Sequence, residues 1–126
     1  MNEPSLPPFE FVDFDKMPGV SCPCGTAKRG LASAEDFPGT VHVTQITKDA
    51  RKHFHRSHTE VYYFLECDEN SKMELNGEVF PVKQGDCVYI RSGTFHRAVG
   101  EMKVLIISMP KFDPEDEHFE TEKPEI

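Results

Sequence analysis

Short runs rich in Val, Ile, Tyr, Phe and Thr follow one another between residues 41 and 109. They cover 41–47, 51–54, 61–66, 72–75, 78–82, 87–90, 96–99 and 103–109, with turn-forming residues between them. Asn76-Gly77 separates two of the runs and predicts a tight hairpin, because both central residues of a type I′ turn need positive φ. Gln84-Gly85-Asp86 and Ser92-Gly93-Thr94 punctuate the chain in the same way. No stretch repeats its apolar residues at helical spacing. Strands this short, with no crossover helices between them, pair antiparallel, and a lone flat sheet would leave its edges open. The pattern therefore predicts an all-β sandwich or small barrel.

One domain accounts for the length, in three zones. Residues 1–40 are rich in Pro and Gly and read as an irregular N-terminal arm, with at most one helical turn near Ser33-Ala34-Glu35-Asp36 capped by Ser33. Residues 41–109 form the β core. Residues 110–126 form an acidic tail that gains little by packing and is expected to be mobile toward its end.

Charge narrows the range of partners. Fourteen Lys and Arg face 22 Asp and Glu, a formal net charge of −8. Nucleic acid and anionic membrane surfaces are thus poor partners, since phosphates need clustered cations. The longest apolar run, Val104-Leu105-Ile106-Ile107, is far too short to span a bilayer. The opening residues MNEPSLPPFE show no secretory pattern, so a cytoplasmic location is expected. Cys22, Cys24, Cys67 and Cys87 do not form a secreted disulfide framework, and Cys22-Pro-Cys24 has no second pair at zinc-ribbon spacing. All four are expected to be reduced thiols.

The densest polar cluster is His53-Phe54-His55-Arg56-Ser57-His58-Thr59-Glu60. In an extended strand, residues i and i+2 share a face about 6.6 Å apart. His53 and His55 can therefore converge on one metal at about 2.1 Å, and Glu60, opening the next strand, supplies a hard anionic ligand. A solvated polar face fits the same octapeptide equally well. His58 falls in the turn, out of phase, and is not expected to be a ligand. His42 is expected to be packed or exposed, and His118 solvated in the tail.

A second motif alters that balance. Residues 85–100 read Gly-Asp-Cys-Val-Tyr-Ile-Arg-Ser-Gly-Thr-Phe-His-Arg-Ala-Val-Gly. Together with His53-x-His55-x4-Glu60, this stretch resembles the cupin superfamily over residues 40–108. Gly85, Gly93 and His96 match the second cupin motif, while Arg91 stands where proline is usual and Cys67 where glycine is common. The resemblance implies a jelly-roll β-barrel holding one divalent transition metal ion (Fe, Mn, Ni, Zn or Co) through His53, His55, Glu60 and His96. Two coordination positions would remain for water, substrate or dioxygen.

Tyr62 and Phe64 share the parity of Glu60. They are candidates for the pocket wall, Tyr62 with a possible catalytic hydroxyl and Phe64 for substrate contact or simply core. Arg91 is a candidate for binding a substrate carboxylate or phosphate, or a solvated loop residue. The resemblance points to dioxygenase-like chemistry on a small molecule. The alternatives are a redox-neutral, isomerase-like enzyme or a non-catalytic, sensor-type binder. A homodimer joined by sheet-edge pairing or strand exchange is expected.

Overall fold

The structure, a computed structural model, describes residues 6–47 and 50–119. Among the described residues eleven strands form: β1 (Val20–Cys22), β2 (Gly25–Gly30), β3 (Thr40–Ile46), β4 (His53–Phe54), β5 (Thr59–Cys67), β6 (Lys72–Leu75), β7 (Glu78–Pro81), β8 (Cys87–Ile90), β9 (His96–Val99), β10 (Met102–Met109) and β11 (His118–Phe119). Apart from one 3-10 turn at Pro114–Asp116, no helix is present among the described residues. None is long and apolar enough to cross a membrane.

The strands build two antiparallel sheets, ordered β1-β2-β3-β10-β5-β8 and β11-β4-β9-β6-β7. No ladder among the described residues joins one sheet to the other, so the jelly-roll type barrel is two facing sheets and not a closed cylinder.

Alternation along the strands explains the packing. In β10, Met102, Val104, Ile106 and Ser108 are buried while the residues between them are only partly so. β3 and β5 flank it in register: Ile106 lies opposite His42 and Tyr62, and Ser108 opposite Thr40 and Glu60. Cross-strand neighbours share a face. The same inner surface that presents Val104 and Phe64 to the core therefore presents His42, Tyr62 and Glu60 further along. Ile46, Phe64, Met73 and Val104 are almost wholly buried. Each large side chain so buried contributes about 1.5–3 kcal/mol. Asn76 and Gly77 have φ of 48° and 85°, and Leu75 pairs with Glu78, as the predicted turn requires.

Two expectations are corrected, and a third, at most one helical turn near Ser33, is met by turns alone. The N-terminal arm is not irregular throughout: β1 and β2 form a hairpin, and β2 pairs with β3 from Gly25↔Ile46 to Gly30↔Val41. Its sequence, GTAKRG, shows no apolar alternation. The strand forms because β3 would otherwise present unpaired backbone groups. Gly25, at φ 144°, passes so close to the Gln45 carbonyl that any side chain would collide with it. Residues 31–37 form successive turns, Ala34 N–H to Leu31 C=O and Phe37 N–H to Ala34 C=O, without a helical turn. The described part of the tail packs: β11 pairs with β4, placing His118 opposite Phe54 and Phe119 opposite His53.

Candidate metal centre

His53 and His96 lie directly opposite each other on β4 and β9 of one sheet, and Glu60 projects from β5 of the other. His55 follows β4 immediately. Phe54, between the two histidines, points to the opposite face and is capped by the rings of Phe95 and His118 at 4.6 and 5.2 Å. That outer cover turns His53 and His55 together into the space between the sheets. The structure thus brings His53, His55, Glu60 and His96 to one point, buried, with one potential ligand atom of each within 4.8 Å of the others.

Backbone carbonyls fix the orientation of each ring. His53 Nδ1 donates to Arg51 C=O at 2.9 Å, His55 Nδ1 to Asp116 C=O at 2.7 Å, and His96 Nδ1 to Thr94 C=O at 2.9 Å. A carbonyl only accepts, so each ring carries its proton on Nδ1 and in its neutral form presents a lone pair on Nε2. His55 Nε2 and His96 Nε2 lie 3.0 and 3.2 Å from Glu60 Oε1, yet all three atoms are buried without a hydrogen-bond partner.

Acceptors facing acceptors away from water are destabilising unless a positive charge sits among them. The acid–base balance carries the same signature. Burial alone would raise the Glu60 carboxyl, but the facing imidazoles of His55 and His96 hold it well below its ordinary range. Burial opposes protonation of His55, yet the adjoining Glu60 carboxylate raises its affinity for a proton. His53, desolvated and close to His96, is pushed down to about 3 and stays neutral. Three imidazoles and one carboxylate fit a divalent first-row transition ion.

The chamber beside these groups has a volume of about 20 Å³ and is bordered by Cys24, Arg29, His42, Tyr62, Phe112 and Glu117 among others. That is room for about one water. Tyr62 is buried, its ring edge-on to His96 at 6.0 Å. Desolvation, then the Glu60 charge, keeps its hydroxyl protonated. Phe64 is fully buried and borders a separate apolar cavity of about 270 Å³ with Met73, Leu75 and Phe80, so it lies away from the chamber. Arg91 is exposed, its guanidinium 4.9 Å from the centre of the Tyr89 ring, and is not among the chamber residues.

The other histidines take structural places. His42 is buried and bonded through Nε2 to Thr40 Oγ1 at 2.8 Å. His58 is buried against Phe112, ring centres 5.6 Å apart, and accepts the Asp113 N–H at 3.1 Å. His118, expected to be solvated, is instead partly buried, 3.2 Å from Asp116 Oδ1 and 3.1 Å from Arg56 Nη1.

Asp116 is a residue that sequence reasoning missed. Its carboxylate accepts the backbone N–H groups of Arg56, Ser57 and His58 at 2.9, 2.8 and 3.2 Å, while its carbonyl orients His55. One aspartate in an acidic tail gives no signal of this.

Comparison with known proteins agrees with the geometry. Residues 39–108 match the model of the cupin domain. An uncharacterized protein of Methanocaldococcus jannaschii is 38% identical over 114 residues, spanning 83% of this chain and 90% of the relative. A crystal structure of a protein from Planctomyces limnophilus superposes with a TM-score of 0.85 at 37% identity, covering 91% of this chain and 98% of the other. Streptomyces PAC13 with uridine superposes at 0.71 with 17% identity, covering 84% and 86%, a likeness of fold alone. With both motifs in place on two facing sheets, the chain belongs to the cupin family.

Proposed function

We propose that this cupin is a metal-dependent enzyme for a small organic molecule, its divalent ion held by His53, His55, Glu60 and His96. The observation that carries the reading is the meeting of three imidazoles and one carboxylate in a single buried site, one potential ligand atom of each within 4.8 Å of the others. When bound, such an ion supplies Lewis acidity or, if it is iron, a means of using dioxygen. The chain itself contributes exclusion of water, fixed imidazole orientation and a protonated Tyr62 hydroxyl. Tyr62 borders the chamber, so its hydroxyl is placed to donate to a substrate oxygen.

Dioxygenase-like turnover is one form of this reading. The redox-neutral form is favoured by the neighbours that share the fold: Pac13, described as a nucleoside dehydratase, and an ectoine synthase from P. lautus. Metal analysis of protein purified without added metal, followed by oxygen uptake and product analysis over a panel of keto acids, phenols, thiols and nucleosides, tests both. Stoichiometric metal with turnover is the expected result, and Tyr62→Phe should lower turnover while leaving metal content unchanged. A protein that binds no divalent ion, or a ligand that raises Tm without turnover, would contradict the enzyme reading. The assembly proposed is a cytoplasmic homodimer joined at a sheet edge, tested by light scattering; a monomeric mass would contradict it.

A further inference from the structure

The Cys22-Pro-Cys24 segment has no part in the proposed chemistry, yet both cysteines border the chamber. Cys22 ends β1 and pairs with Gly25, the first residue of β2, so Pro23 and Cys24 form the two-residue turn of that hairpin. The turn brings the two sulfurs into contact, Sγ to Sγ 2.6 Å, with both thiols free. Among the described residues, no grouping of three metal-ligating side chains includes either cysteine. Two touching thiols without a third ligand do not make a thiolate metal site.

The sulfurs are also unlike each other. The hydrogen bond from Cys24 lowers Cys22 to about 7, whereas the same bond, with burial, raises Cys24. Cys22, the less buried of the two, is the sulfur placed to meet an oxidant, and Cys24 holds the proton.

The turn is tied to the metal ligands through the main chain. Pro23 C=O accepts the Arg51 N–H at 2.9 Å, and Cys24 C=O accepts the Thr47 N–H at 3.1 Å. Arg51 C=O in turn orients His53 through Nδ1.

We propose that Cys22 and Cys24 form a reversible thiol–disulfide pair, closed by a peroxide-class oxidant, whose closure loosens the hold on His53. The Cys22 thiolate attacks one peroxide oxygen and the O–O bond breaks, giving a sulfenic acid and a hydroxide that leaves as water with the proton Cys22 had released. The Cys24 sulfur then attacks the Cys22 sulfur, the S–O bond breaks, and a second water departs with the Cys24 proton. Two thiols and one hydrogen peroxide thus become one disulfide and two waters, with two electrons passing from sulfur to peroxide. A dithiol reductant reverses the change by exchange.

The full chain carrying Cys67→Ser and Cys87→Ser isolates the pair. An equimolar amount of hydrogen peroxide should lower the intact mass of the denatured chain by about 2 Da, abolish both thiol titres and form no interchain disulfide, and dithiothreitol should restore the thiols. An unchanged mass, a gain of about 32 Da from sulfinic acid, or an interchain disulfide would overturn the pair. Zinc affinity should fall at least about tenfold in the oxidised form, as when a ligand's orienting partner is lost. Equal affinity in the two verified states would overturn the coupling to His53. A further variant carrying Cys22→Ser and Cys24→Ser should bind zinc as the reduced protein does; a tenfold loss there would make the sulfurs ligands and overturn the proposal. The mass and thiol readouts need no metal, so they stand or fall apart from the proposed enzyme function.

Discussion

Glu60 and His55 favour each other's charged forms across 3.0 Å, and that fixes what replacement of Glu60 does. Glu60→Gln removes the anionic ligand and the charge that His55 and His96 face. The metal-free variant should therefore be about 1–3 kcal/mol less stable than metal-free wild type. It should also lose the stabilisation that divalent ions confer on the wild type, both measured by urea unfolding with and without zinc. An unchanged response to zinc would contradict the assignment of Glu60. Parity along two strands made His53, His55 and Glu60 legible in the sequence. His96 was not legible that way, because its approach depends on β4–β9 pairing, which no local pattern states. Asp116 and Arg29 were invisible for a related reason: each acts on groups more than ten residues away in the chain.

Among the elements, the segment from Lys111 to Phe119 does most to shape the centre. Phe112 packs against His58 and lies edge-on to His42 and His55, with the Arg29 guanidinium 4.2 Å from its ring centre. Asp116→Ala leaves three backbone N–H groups without their acceptor. It should cost about 1–3 kcal/mol by urea unfolding and lower zinc affinity about tenfold by competition with a chelator. If zinc affinity held while stability fell, the segment would be a brace and not a support for the ligands. The two hairpin glycines also separate cleanly. Gly77→Ala meets open space and is disfavoured only by its φ of 85°, about 1–2 kcal/mol. Gly25→Ala also strikes the Gln45 carbonyl and should destabilise more. Sequence reading found the first turn because Asn-Gly is a local signal. It missed β2 and the packed tail because their partners are backbone groups and one carboxylate, which leave no apolar periodicity.

For the molecule as a whole, the inner sheet surface changes from an apolar core to a polar chamber within a few residues, and acid should expose that division. His42, buried first by desolvation and next to Arg29, has its pKa lowered to about 4. The unfolded chain binds a proton below about 6.5 that the folded chain refuses until about 4, so stability falls as pH drops through that window. The share of His42 in that loss approaches about 3 kcal/mol, and His42→Gln should make the profile less steep, the remainder coming from His53. Parallel profiles for the two proteins would contradict a buried neutral His42. All-β class and strand positions in the core followed from alternation and turn residues; the choice of two facing sheets over a closed barrel and the sheet order did not, because both rest on long-range pairing. The most direct test is X-ray absorption at the metal edge of the cobalt-loaded protein. Scattering from three imidazoles with one carboxylate oxygen, reduced to two imidazoles in His96→Ala, is the result expected. A shell containing sulfur, or one unchanged by His96→Ala, would contradict it.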